Sequence, residues 1–162
     1  MRTSLKAKLR QNADFQTKAH EASLALMVAA VHVRRQSDTL FKKYELNFNY
    51  YNVLRILRGA RTEGYPRCDI IERMIDPAPD VTRLMDQLVN KGWVRRERSE
   101  HDRRQSLHWI TEEGKQLLSL IDAEIEQLNA SFARSVGDED LDHLIRITSK
   151  IYSAQPASEQ EC

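Results

Sequence analysis

From Phe15 onward, apolar positions recur at Phe15, Ala19, Ala22, Leu26, Ala29, Val33, Leu40 and Tyr44. Steps of three and four residues predict one long amphipathic helix, with polar Ser37 standing at one seam position. A helix of about thirty residues runs roughly 45 Å. A chain of 162 residues has too small a core to cover such a stripe by itself. The pattern therefore predicts that a second chain covers part of it.

Asn47 is placed to cap a second helix, Phe48 to Leu57, with Phe48, Tyr51, Leu54 and Leu57 on its inner side. Residues 59–66 read as a loop leading into a short strand, and a third helix covers about Asp69 to Met74. Asp76-Pro77-Ala78-Pro79 forces a break. Pro79 suits the first position of a fourth helix, where its missing N–H costs nothing, and Asp80 complements the dipole of the first turn. In that helix Val81, Leu84, Met85, Leu88 and Val89 form one apolar stripe. The opposite face carries Asp80, Thr82, Arg83, Asp86, Gln87 and Asn90, and Gly92 ends the helix.

Two β segments follow, Trp93 to Arg98 and Arg104 to Ile110, with residues 99–103 as the tip of a hairpin. Thr111 caps a further helix with Glu112 and Glu113 in its first turn. Leu117, Leu118, Ile121, Ile125, Leu128, Phe132 and Val136 run along it, and a last helix after Gly137 carries Leu141, Leu144, Ile145, Ile151 and Tyr152. The expected fold class is mainly α with a small β-hairpin wing. Residues 46–111 form a winged helix-turn-helix, residues 12–45 and 112–153 a helical dimerisation region, and residues 154–162 a flexible tail.

Composition agrees with a soluble, helix-rich chain: 41% hydrophobic, 30% charged, and only 5 Gly and 4 Pro. The net charge of +1 hides an uneven distribution. Arg2 to Arg10 and Arg83 to Arg104 are basic, whereas Glu112 to Asp142 is acidic. Phosphate contact needs only a local basic face, so the average does not exclude nucleic acid. The 2 cysteines, Cys68 and Cys162, have no paired spacing. They suggest a reducing compartment and offer neither a disulfide framework nor a zinc site. The longest apolar run, Leu24 to Val33, is too short to span a bilayer and is interrupted by His32. The expectation is a cytoplasmic protein with no membrane partner.

A DNA-reading helix needs an apolar back and short polar or basic groups in front. Arg83 suits a guanine edge, Gln87 an adenine, and Thr82 a phosphate or a thymine methyl. An ordinary solvated helix would show the same pattern. The hairpin favours DNA: Arg95, Arg96, Arg98, Arg103 and Arg104 cluster beside Ser99, and arginine suits phosphate forks and narrow minor grooves. Charges that merely protect a sheet edge from aggregation account for the charge, but not for arginine over lysine. Asp102 is expected to pair with a neighbouring arginine and fix the tip.

Five segments in register carry a more specific likeness. They are Leu46 to Leu57, Pro79 to Leu88, Gly92-Trp93-Val94-Arg95-Arg96, Asp102-Arg103-Arg104 and Ile110-Thr111-Glu112-Glu113-Gly114. Together they resemble the MarR family of bacterial transcriptional regulators over about residues 15–152. The resemblance implies a homodimer joined through its first and last helices, bound to a pseudo-palindromic operator in double-stranded DNA, usually as a repressor. It places the helix from Pro79 to Asn90 in the major groove, with Pro79, Asp80, Thr82, Arg83, Asp86 and Gln87 at the DNA. The wing would contribute Arg96, Arg98, Ser99, Arg103 and Arg104, and either Arg103 or Arg104 would enter the minor groove. A small aromatic effector is a further implication, with His20, Met27, His32, Tyr44, Tyr50 and Tyr51 as candidate lining residues; core packing is the favoured explanation of the aromatics and Met27.

The chain departs from the family pattern in opening its third helix with Arg67-Cys68-Asp69 and in placing Trp93 after the glycine. Cys68 reads as an inert small residue rather than a redox sensor. An enzyme would need a nucleophile, a base and oxyanion donors, or a metal set. His101, Asp102 and His108 are the only local cluster, and flanking arginines make it a poor metal cage. No cofactor, metal or catalytic residue is expected. The stronger rival is a winged-helix module that binds protein instead of DNA.

Overall fold

Ser4 caps a single helical turn, α1 (Leu5–Lys8), which the periodicity did not predict. Thr17 then opens α2 (Lys18–Lys42) by accepting the N–H of His20. The computed structural model describes residues 4–60, 63–76, 80–99, 102 and 104–153. The chain continues through α3 (Phe48–Arg58), β1 (Tyr65–Pro66), α4 (Arg67–Arg73), α5 (Val81–Asn90), β2 (Val94–Arg98), β3 (Ser106–Ile110), α6 (Glu112–Val136) and α7 (Asp138–Ser153). The strands form one antiparallel sheet in the order β1-β3-β2. This is the expected mainly helical fold with a hairpin wing, and β1 adds a third strand to the hairpin.

The caps form where local chemistry predicts them. Asn47 accepts the N–H of Tyr50 at 2.9 Å, and Thr111 accepts that of Gly114 at 3.1 Å. Asp80 is the N-cap of α5 itself, taking the N–H of Arg83 at 2.9 Å, one position earlier than a first-turn residue. Pro79 lies outside the described residues. α4 starts at Arg67 with Pro66 in the cap position and no side-chain cap bond.

The core collects Leu40, Phe41 and Leu46 with residues of α3, α4, α5, β2 and the first half of α6. α3 is buried more widely than its predicted stripe: Asn52, Val53, Leu54, Ile56 and Leu57 are buried, while Phe48 and Tyr51 are half-buried. It packs against α2, α4, α5, α6 and β3, so more than one of its faces is covered. The predicted stripe of α5 buries Val81, Leu84, Met85 and Leu88 and leaves the polar face outward.

Two glycines fix the base of the wing, one just after α5 and one in α6. Gly92 follows the C-cap of α5 at φ +74°, a left-handed conformation that costs glycine little. At Gly114 a Cβ would collide with the Trp93 carbonyl oxygen, so the wing base approaches α6 only because no side chain is there. Thr111 also donates its hydroxyl to the Gly92 carbonyl at 2.7 Å, which ties the end of α5 to the start of α6. Among the described residues, no helix is long and apolar enough to cross a membrane.

Candidate nucleic-acid interface

Strand alternation sorts the wing. Arg96 pairs across the hairpin with His108, and Arg98 with Ser106, on the face shared with buried Val94. That face turns toward α5, where Arg96 donates to Asp86 at 2.6 Å. On the opposite face Arg95 pairs with Glu97 and lies 4.0 Å over the Trp109 ring. The arginine cluster thus divides between a side facing the recognition helix and a side facing away.

Several groups on the polar face of α5 already hold partners. Arg67 donates to the Thr82 hydroxyl at 2.8 Å, and Tyr50 donates to Gln87 Oε1 at 2.8 Å. Asp86 is held by Arg96, which offsets the negative charge of this carboxylate. The guanidinium groups of Arg83, Arg98 and Arg104 are exposed and make no hydrogen bond or ion pair among the described residues. Among the described residues they are the uncommitted cations of this face.

The wing tip differs from expectation. Asp102 does not hold a guanidinium among the described residues; its carboxylate accepts the backbone N–H of Arg104 at 2.9 Å. Its own N–H donates to Ser99 Oγ at 3.3 Å, and its carbonyl accepts the N–H of Gln105 at 2.9 Å. An aspartate reaching two residues ahead closes an Asx turn, which is the local geometry that wins here. Ser99, expected at the DNA, is buried within this turn. Arg103 lies outside the described residues, as does His101.

Under the wing, His108 is buried, with Nδ1 3.3 Å from the Tyr65 carbonyl oxygen. Burial holds its imidazole below the ordinary value, and the positive charges of Arg96 and Arg67 push it the same way. The Tyr65 carbonyl and the Asp86 charge oppose that shift. A cavity of about 350 Å³ opens beside it, lined by Arg67, Thr82, Arg96, Arg104, Gln105 and His108 among others.

The profile of the family described as Transcriptional regulator SarA/Rot matches residues 35–121. A MarR transcription factor from Planctomyces limnophilus is 30% identical, with 84% of this chain and 98% of that one covered and a TM-score of 0.65. The chain belongs to the SarA/Rot transcriptional regulators and is of the MarR type. Its fold is also similar to a MarR-like regulator from Bacillus cereus, at 15% identity, 85% and 98% coverage and a TM-score of 0.77. MepR of S. aureus, solved as a complex with DNA, matches at 16% identity, 82% and 97% coverage and a TM-score of 0.74.

In this MarR-type regulator the six candidate effector residues do not share one cavity among the described residues. His20 is exposed on α2 and meets Phe15 edge-on at 6.1 Å. Met27 and His32 line a groove of about 320 Å³ between α1 and α2 with Lys8, Leu9 and Arg35. Tyr44 donates to Glu124 at 2.5 Å, a bond that raises the pKa of the phenol. Tyr51 stacks on Phe41 at 4.6 Å, and Tyr50 serves Gln87. Cys68 is half-buried at the start of α4 and is not a free thiol, contrary to the expectation that the cysteines offer no disulfide. Sequence reasoning missed the Arg67–Thr82, Tyr50–Gln87 and Arg96–Asp86 bonds. Each joins residues from different elements, and no spacing along the chain signals it.

Proposed function

We propose that this DNA-binding regulator works as a homodimer on a pseudo-palindromic operator and represses transcription there. α5 enters the major groove, with Arg83 as its leading base contact, and the wing lies along the flanking backbone. Arg104 is the wing residue that reaches into the minor groove. The observation that carries the reading is the set of exposed, uncommitted guanidiniums at Arg83, Arg98 and Arg104 beside the polar face of α5. A protein-docking surface has no need of three free arginines. The dimer rests on apolar side chains left exposed on α2 and α7, including Met27, Val31, Ile147 and Ile151.

The test is a salt series on duplexes selected from genomic fragments. Arg104→Ala should weaken binding to specific and random duplexes alike and lower the salt slope by about one ion. Arg83→Ala should cost about 1–3 kcal/mol at one base position and leave random duplex bound as before. If both variants bind every duplex like the parent, the assignment fails.

A small aromatic effector is the second part of the reading. The site that suits it is the cavity beside Thr82, Arg67, Arg96 and Arg104, because its cations would take an aromatic acid. Such a ligand would displace the contacts of Thr82 and Asp86 on the recognition face. Titrating benzoate-type acids into the operator complex should release DNA from the parent and not from Arg67→Ala.

A further inference from the structure

Gln87 is the one amide at the centre of the recognition face, and its two ends are not equivalent. Oε1 accepts the Tyr50 hydroxyl at 2.8 Å. Nε2 has no hydrogen-bond partner among the described residues. Tyr50 is itself fixed from two sides: its backbone N–H closes the Asn47 cap, and its ring meets Trp93 edge-on at 6.3 Å and 74°. The hydroxyl has this single partner among the described residues. A phenol has one proton to place and an amide oxygen is a strong acceptor, so the pair orients the amide with its oxygen toward α3.

On the reading that α5 enters the major groove, we propose that Tyr50 is a positioning residue that makes Gln87 a one-way donor. A glutamine that reads adenine uses both ends, accepting from N6 and donating to N7. Here the oxygen is engaged by Tyr50, and the amide N–H groups face the groove. Gln87 then selects base edges that accept: guanine through O6 and N7, or thymine through O4. Cytosine, which offers an N4 donor, is rejected at the same position, and adenine loses its usual advantage. This replaces the adenine contact that residue type alone suggests. Trp93, the bulky residue at the wing base, acts here as the back wall that holds the Tyr50 ring.

The experiment measures dissociation constants by fluorescence anisotropy on a selected operator in which each base pair is replaced in turn by the other three. Gln87→Ala identifies the position that depends on Gln87, by flattening the preference there. The parent should prefer guanine or thymine at that position over cytosine by about threefold to tenfold. Tyr50→Phe keeps the ring and its contact with Trp93 but frees the amide to turn. It should gain adenine at that one position by a similar factor, with affinity for random duplex and melting temperature unchanged. A parent that binds selected and random duplexes equally overturns base reading by α5, on which the proposal rests. If the parent does discriminate, a preference for adenine at the Gln87 position overturns the Tyr50 role alone, and this measurement needs no Tyr50 variant. A Tyr50→Phe profile superimposable on that of the parent overturns it too.

Discussion

The segment from Leu40 to Ile121 and the helices on either side of it have similar hydrophobic patterns and opposite fates. Among the described residues, every buried hydrophobic side chain falls within that segment, both ends included. α7, by contrast, buries none, and Leu144, Ile145, Ile147, Ile151 and Tyr152 are exposed along it. The N-terminal part of α2 likewise exposes Leu26, Met27, Val31 and Val33. Periodicity reports that a face wants to be covered; it does not say whether the same chain covers it. In the winged part α3 and α5 find their partners within the chain. In the stem, on α2 and α7, the described residues leave that face uncovered, which is the physical basis of the proposed dimer.

The sharpest way to break that comparison is to put charge on the uncovered face. Ile147→Glu with Ile151→Glu should convert the proposed dimer to monomer by sedimentation, and lower operator affinity at least about a hundredfold as two linked half-sites become one. A monomeric parent, or an unchanged mass, would remove the stem's claim to a partner. Next comes the core. Leu88→Ala should lower urea stability by about 2–5 kcal/mol while the mass of the assembly stays constant. If it dissociated the protein instead, the two regions would not be separable.

A smaller effect tests the join of wing and helix. Burial lowers the pKa of His108, so the unfolded chain binds a proton first as the pH falls. The stability this residue contributes is complete above about 6.5, its ordinary value. It is lost as the pH drops from there through the lowered value of the folded state. His108→Gln should flatten that part of the stability curve in pH-dependent urea titrations; identical slopes would mean that the wing interior does not sense protonation. Smallest is the exposed pair between Arg58 and Asp122, 2.8 Å apart, which bridges α3 and α6. Asp122→Asn should change stability by under about 1 kcal/mol. A larger loss would extend the cooperative core beyond the buried residues.

Much of the fold was legible because its signals are local. Asn47 and Thr111 cap the helices they precede, since each hydroxyl or amide needs only the N–H three residues ahead. The stripe of α5 and the order helix, glycine, basic hairpin are likewise patterns of neighbours. The site was legible only in outline. Asp102 was expected to hold an arginine side chain, but its carboxylate serves a backbone N–H, because a two-residue turn competes better than a pairing of mobile side chains. Ser99 went into the turn instead of out to the groove for the same reason. The aromatic residues that could have lined one pocket were dispersed: Tyr44 to Glu124, Tyr51 to Phe41 and Tyr50 to Gln87.

The sequence by itself determined which faces are apolar, where helices begin and end, and that arginine concentrates in the hairpin after the recognition helix. Those properties depend on residue type and on spacing of a few positions. Tertiary structure decided which polar groups are spent and which are free. Thr82, Asp86 and Gln87 are engaged by Arg67, Arg96 and Tyr50, whereas the guanidiniums of Arg83 and Arg104 have no partner among the described residues. A hydrogen bond demands alignment to within a few tenths of an ångström, and only the docking of α3, α4, α5 and the wing supplies it.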